Sequence, residues 1–220
     1  MKAGAGRIWL IAGGAAVLTA VAAVFLIPPA ERKTERAIEI EPDPTLDEEL
    51  PVLADPPAFE LRDQNGAPFT RVDLVGHVTV AGFVFTRCQS SCPAITLRMR
   101  GIQDQTASIG DRVQLLSFSV DPDHDTPAVL AEYARKAGAD PHRWRFLTGR
   151  PDEVRRVINA ALKLTMERDG TTQPNGAPAV IHSDHLALFD RQGRVRGYYS
   201  STDPDRLARL HDDLTRLLSE

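Results

Sequence analysis

The chain has 220 residues, of which 42% are hydrophobic and 25% charged. That is enough apolar material for one cored domain with extensions. The net charge is only −4 and Lys and Arg are scattered, which excludes a nucleic-acid partner recognised through a basic surface.

The chain opens with a short lead, residues 1–7, that carries Lys2 and Arg7. An apolar run without a charge follows over residues 8–27, and Pro28-Pro29 ends it. Its length suits a single membrane-spanning helix of roughly 20 residues. The competing reading is a cleaved signal peptide with Ala20-Val21-Ala22 as its small-residue site. Cleavage there would leave Phe25-Leu26-Ile27 on the mature terminus, so an uncleaved anchor is expected. Basic residues flank both ends and do not decide orientation. The signal-like start favours export of the C-terminal remainder of the chain. In a bacterium that means a single-pass protein of the inner membrane with a periplasmic domain. Residues 28–56 are rich in Pro and acidic side chains and read as an extended spacer.

Residues 57–220 read as the folded domain. Phe59-Glu60-Leu61-Arg62-Asp63 alternates as a half-buried strand does, and Gln64-Asn65-Gly66 turns the chain into Pro68-Phe69-Thr70. Val78 to Phe85 is an apolar run expected of a central strand covered on both faces. After Cys92, Pro93 suits the first position of a helix, with Ile95, Leu97, Met99 and Ile102 supplying apolar surface and Arg98 and Arg100 outside. Val113 to Val120 is a second buried strand. Thr126 caps a helix that Gly138 ends, with Leu130, Tyr133, Ala134 and Ala137 on one face. Trp144 to Gly149 is a short strand and turn, and Trp144 and Phe146 are expected in the core. Pro151 to Leu162 is a helix, with Val154, Val157, Ile158 and Leu162 inward. Residues 169–178 read as a polar loop. His185–Asp190 and Arg194–Tyr199 form a hairpin, and Asp203-Pro204 opens a last helix with a leucine stripe. The order predicts an α/β fold, a thioredoxin-like mixed sheet with helices on both faces.

The chemistry lies in Cys88 and Cys92, the only cysteines. They stand between the central strand and the following helix. A disulfide across so small a loop adds little stability, so the pair is a poor staple. Cys92 at a helix N-terminus is favoured as a thiolate. Two thiolates select Cu(I) over hard cations, and they also cycle between dithiol and disulfide. Two intervening residues would favour a redox motif; three leave room for a bridging metal. A copper site also wants a histidine. Of the six, spacing leaves His182 and His185 nearly equal, with His185 expected to begin the strand and point elsewhere. His77, His124, His142 and His211 lie in turns or an exposed helix and read as solvated surface groups.

Three blocks resemble the Sco/SenC family: Phe83 to Pro93, Ser119 to Pro127, and Trp144 to Gly149. His182 also precedes Gly193 by the family's spacing, and the resemblance covers residues 59 to about 218. It implies a membrane-anchored thioredoxin-like domain that binds copper through Cys88, Cys92 and His182. It further implies delivery of copper to the dinuclear CuA centre of cytochrome c oxidase during assembly. The partners implied are the oxidase subunit carrying CuA and another copper chaperone or thioredoxin-like reductase. The chain departs from the family pattern at Arg87, at Gln89-Ser90-Ser91, at His77 where a lysine is usual, and at Asp184-His185. Asp121 and Asp125 read either as a strand end and a helix cap or as carboxylates beside the copper loop. The second cysteine argues against a peroxiredoxin. The expected function is thus a copper chaperone rather than a turnover enzyme. The alternative is a thiol–disulfide reductase in which Cys88 and Cys92 are the redox pair.

Overall fold

A computed structural model of the chain describes residues 49–88, 92–162, 167–172, 178–181 and 184–220. The expected span 8–27 and most of the expected spacer lie outside these residues. Among the described residues, no helix is long and apolar enough to cross a membrane.

Five strands form the main sheet: β3 (Val78–Val84), β4 (Val113–Ser119), β5 (Trp144–Leu147), β8 (His185–Phe189) and β9 (Val195–Ser200). Their spatial order is β5-β4-β3-β8-β9. β3, β4 and β5 run parallel, and β8 and β9 are antiparallel to their neighbours. Every residue of β3, Thr79 included, is buried, as its mostly apolar character predicts. Its side chains alternate between two cores. Val78, Val80 and Val84 join Ile95 and Met99 of α1 (Cys92–Gln105), Leu130 of α2 (Pro127–Ala137), and Leu210, Leu214 and Leu217 of α4 (Pro204–Ser219). Ala81 and Phe83 join Val154, Val157 and Ile158 of α3 (Pro151–Leu162) on the other face. Gly82 lets α1 approach closely: a methyl there would stand 3.0 Å from Leu186 Cδ2 and 3.6 Å from the Met99 sulfur. Helices therefore cover both faces, as the element order implies.

Most caps form where the sequence puts them. Thr126 Oγ1 accepts from the Val129 N–H, and Gly138 closes α2 in the left-handed region with φ 67°. Trp144 and Phe146 are buried in the core, their rings stacked 5.1 Å apart. Leu97 departs from the expectation: it sits on the outer side of α1, 70% exposed. The first hairpin, β1 (Glu60–Arg62) with β2 (Pro68–Thr70), forms its own two-stranded sheet. It guards the β5 edge. Arg62 and Thr148 exchange backbone hydrogen bonds, and the Gln64 amide accepts from the Phe146 N–H at 2.8 Å. Blocking an edge strand in this way removes a template for unwanted pairing. The expected loop 169–178 is in part a ladder, since β6 (Glu167–Thr172) pairs antiparallel with β7 (Pro178–Ile181). Its polar composition hides the pairing, because backbone hydrogen bonds need no apolar alternation.

Residues 50–54, expected in the spacer, pack against the domain. Leu50 is buried, and Leu53 and Ala54 pair with Val195. The buried Arg196 guanidinium holds this entry segment, donating to the Leu50 carbonyl at 2.8 and 2.5 Å. It also pairs with Asp190 at 3.0 Å and Glu220 at 3.3 Å. Burial alone would raise the Asp190 carboxyl, but the Arg194 backbone N–H and the Arg194 and Arg196 guanidiniums outweigh it. The group therefore titrates below the ordinary aspartate range.

Candidate metal centre

β3 delivers the first cysteine. Its parallel register with β4 pairs Val84 with Ser119, and the Val120 N–H bonds the Val84 carbonyl at 2.9 Å. The two strands thus end side by side, and the segment 85–88 faces the segment 119–125. Phe85 is buried, and the Cys88 N–H turns back onto the Phe85 carbonyl at 3.0 Å. Cys88 is half-buried against the core that holds Phe83 and Phe85. Cys92 is the first residue of α1. A helix start is a place where unpaired N–H groups and the macrodipole favour a thiolate.

The two residues before Cys88 are each tied to a buried carboxylate. The Thr86 hydroxyl donates to Asp125 Oδ1, and its backbone N–H lies 3.4 Å from Oδ2. Ser119 Oγ donates to the same Oδ2 at 2.7 Å. Arg87 donates to Asp121 Oδ2 through Nε at 3.0 Å and Nη2 at 2.5 Å. Its guanidinium also lies over the Phe85 ring, 5.9 Å from the centroid. Asp121 is 1% exposed and Asp125 0%. Their turn is closed by the Asp125 N–H on the Asp121 carbonyl at 2.8 Å. The helix cap is therefore Thr126, and both carboxylates face the residues that lead into Cys88.

His124, expected as a solvated group, is half-buried beside this turn. Its Nδ1 lies 3.2 Å from Asp125 Oδ1 and 3.5 Å from the Thr86 hydroxyl. Asp121, His124 and Asp125 can bring one donor atom each within 4.8 Å of one another. Sequence spacing missed His124 as part of this turn. The signal was the i, i+3, i+4 placement of Asp121, His124 and Asp125 directly after a buried strand.

The expected histidine ligand, His182, lies outside the described residues. His185 begins β8, as predicted, with Asp184 before it. His185 Nδ1 lies 3.2 Å from Asp184 Oδ1. Asp184 Oδ2 accepts from the Ser200 hydroxyl at 2.7 Å and the Thr202 hydroxyl at 2.8 Å. Burial opposes ionisation of Asp184, yet these hydroxyls and His185 hold its carboxyl below the ordinary range. β8 runs antiparallel to β3, so its first residues stand at the sheet end toward which β3 carries Cys88. Of the other histidines, His77 Nδ1 sits 2.7 Å from the Asp111 carbonyl, and His142 and His211 are exposed.

Comparison with known proteins agrees with this architecture. The SCO1/SenC family model matches residues 53–219. A SCO1 protein homolog of Bacillus subtilis is 30% identical over 146 residues, which are 66% of this chain and 73% of that protein. A SCO1/SenC family lipoprotein of Bacillus anthracis superimposes with a TM-score of 0.66 at 33% identity, covering 75% of this chain and 95% of that one. Bradyrhizobium japonicum ScoI, solved with copper bound, gives 0.63 at 29% identity over 74% and 99% of the two chains. BsSco, described as carrying a disulfide switch and as one of the Sco family of cytochrome c oxidase assembly proteins, gives 0.65 at 27% over 77% and 96%. The fold is the mixed thioredoxin-like fold of these proteins, and the chain belongs to the SCO1/SenC family.

Proposed function

We propose that this protein is a copper chaperone that delivers copper to the CuA centre of cytochrome c oxidase during assembly. Its cargo ligands are Cys88, Cys92 and His182. The observation that carries the reading is the placement of the cysteine pair in a chain of this family. The half-buried Cys88 ends the run out of β3, and Cys92 opens α1. Two thiolates and one neutral imidazole suit a soft, monovalent cargo. The antiparallel entry into β8 at the same sheet end supports His182 as the third donor. Copper leaves when ligands of the oxidase subunit replace these three one at a time. A second copper chaperone or a thioredoxin-like reductase serves as the upstream partner.

The N-terminal organisation completes the proposal. Residues 1–7 lie inside, 8–27 anchor the chain in the inner membrane, and the following segment spaces a periplasmic domain from the bilayer. A related lipoprotein from Bacillus anthracis is consistent with membrane association of such domains.

The disulfide switch described for BsSco favours one second reading, a thiol–disulfide reductase. In that reaction Cys88 and Cys92 give two electrons and two protons to a disulfide of the oxidase copper site and themselves become the disulfide. His182 separates the two. Titration of the full-length chain in mild detergent with Cu(I) should give one bound ion per chain, lost in His182→Ala. Reductase activity that survives His182→Ala, without stoichiometric copper uptake by the parent, would overturn the chaperone.

A further inference from the structure

The residue before the first cysteine departs from the family pattern, and the structure gives it a partner. Arg87 places two donors on one oxygen of Asp121, at 3.0 and 2.5 Å, and rests over the Phe85 ring. Its side chain is 30% exposed, whereas that of Asp121 is 2% exposed. Thr86, one residue earlier, is bound to Asp125. Asp125 is joined through its own N–H to the Asp121 carbonyl. Two consecutive residues leading into Cys88 are thus fastened to one turn after β4.

Thr86 is a core fastening, since its partner carboxylate is wholly buried and shared with Ser119. Arg87 differs. It reaches Asp121 from the solvent side, and it immobilises a long side chain by a planar fork that lysine cannot reproduce. A charge-paired guanidinium leaves no net charge beside Cys88. Its effect on the cargo is therefore geometric.

We propose that Arg87 is a positioning residue for Cys88: through its forked ion pair with Asp121 it fixes the backbone on which the first cargo thiolate stands. The proposal rests on the copper-carrier reading for its biological meaning. Partners that orient a metal ligand typically contribute about 10–100-fold in metal affinity.

The experiment measures Cu(I) affinity of the full-length chain in detergent by anaerobic competition with bathocuproine disulfonate. It compares wild type, Arg87→Met, Arg87→Lys, Asp121→Asn and the Arg87→Met/Asp121→Asn double variant. Positioning predicts a loss of about 10-fold or more in Arg87→Met. It predicts a loss of the same sign in Asp121→Asn, a partial loss in Arg87→Lys, and a double variant no weaker than the weaker single. Strictly additive losses, or an Arg87→Met affinity within threefold of wild type, would overturn the proposal. So would opposite signs: a purely electrostatic role predicts tighter Cu(I) in Arg87→Met, where a carboxylate is unmasked, and weaker Cu(I) in Asp121→Asn. If Arg87→Met does not fold, Arg87→Lys and Asp121→Asn carry the test.

A wild type that takes up no Cu(I) refutes the carrier and leaves the positioning claim to a second readout. That readout is the equilibrium constant of the Cys88–Cys92 disulfide against reduced and oxidised dithiothreitol. Equal shifts above threefold in Arg87→Met and Asp121→Asn then support positioning, and smaller or unequal shifts overturn it.

Discussion

Replacing Arg196 by Met tests how the entry segment is held. The guanidinium is fully buried and donates twice to the Leu50 carbonyl, with Asp190 and Glu220 as its charged partners. Glu49 lies 3.6 Å away but is 80% exposed, so that contact is discounted. Methionine keeps much of the apolar stem and removes all of these bonds. Breaking one side of a buried ion pair costs about 3–5 kcal/mol. Asp190 retains Arg194 through its guanidinium at 2.8 Å and its backbone N–H at 2.9 Å, which favours the lower end. A loss of about 3 kcal/mol in a domain of this size lowers Tm by about 6–12 °C. Circular dichroism melts of the full chain measure the shift. Limited proteolysis should show faster cleavage near residues 49–55 in the variant. A Tm within about 3 °C of wild type, with unchanged cleavage, would refute the view that this one side chain clasps the entry segment.

Three further changes are informative. Gly197→Ala would drive a methyl to 2.5 Å from Tyr199 Cζ, where the phenol is held by Asp213 at 2.7 Å; urea denaturation should show a loss of about 1–3 kcal/mol. Asp125→Ala strips the acceptor from the Thr86 and Ser119 hydroxyls, and a loss of about 2–4 kcal/mol is expected, whereas an unchanged urea midpoint would mean that these groups find other partners. Because the folded Asp190 carboxyl is depressed, its contribution is fully present above the unfolded value near about 3.9 and is lost as pH falls through the lower folded value. The stability of wild type should therefore drop more steeply below about pH 4 than that of Asp190→Asn, and parallel pH curves would count against the pairing.

The apolar run 78–85, the Thr126 cap, the Gly138 stop and the leucine stripe of α4 were legible because each rests on local chemistry. An apolar run, a hydroxyl cap, a left-handed glycine and a stripe at helical spacing need only neighbouring residues to declare themselves. What the sequence concealed was set by distant partners. Nothing near Arg87 shows that Asp121 awaits it from the turn after β4, and nothing near Arg196 shows that it closes on Leu50. His124 looked solvated because turns generally are, yet the β3–β4 register brings Thr86 against it. Residues 49–54 looked like spacer because they close the Pro- and acid-rich stretch 28–56, although the buried Leu50 and two backbone pairings suffice to dock them. The strand-to-helix setting of Cys88 and Cys92 was legible, since the end of β3 and the start of α1 lie within one short stretch.

The Arg196 clasp also sets a polarity. It sits by the Asp190–Arg194 turn, at the end of the sheet where β3 begins, whereas Cys88 follows the end where β3 finishes. Seven residues of extended chain, roughly 23 Å, separate the two poles. The entry segment therefore docks at the hairpin pole, and the half-buried thiol stands at the other. A change in how residues 49–54 dock thus acts at the pole opposite Cys88.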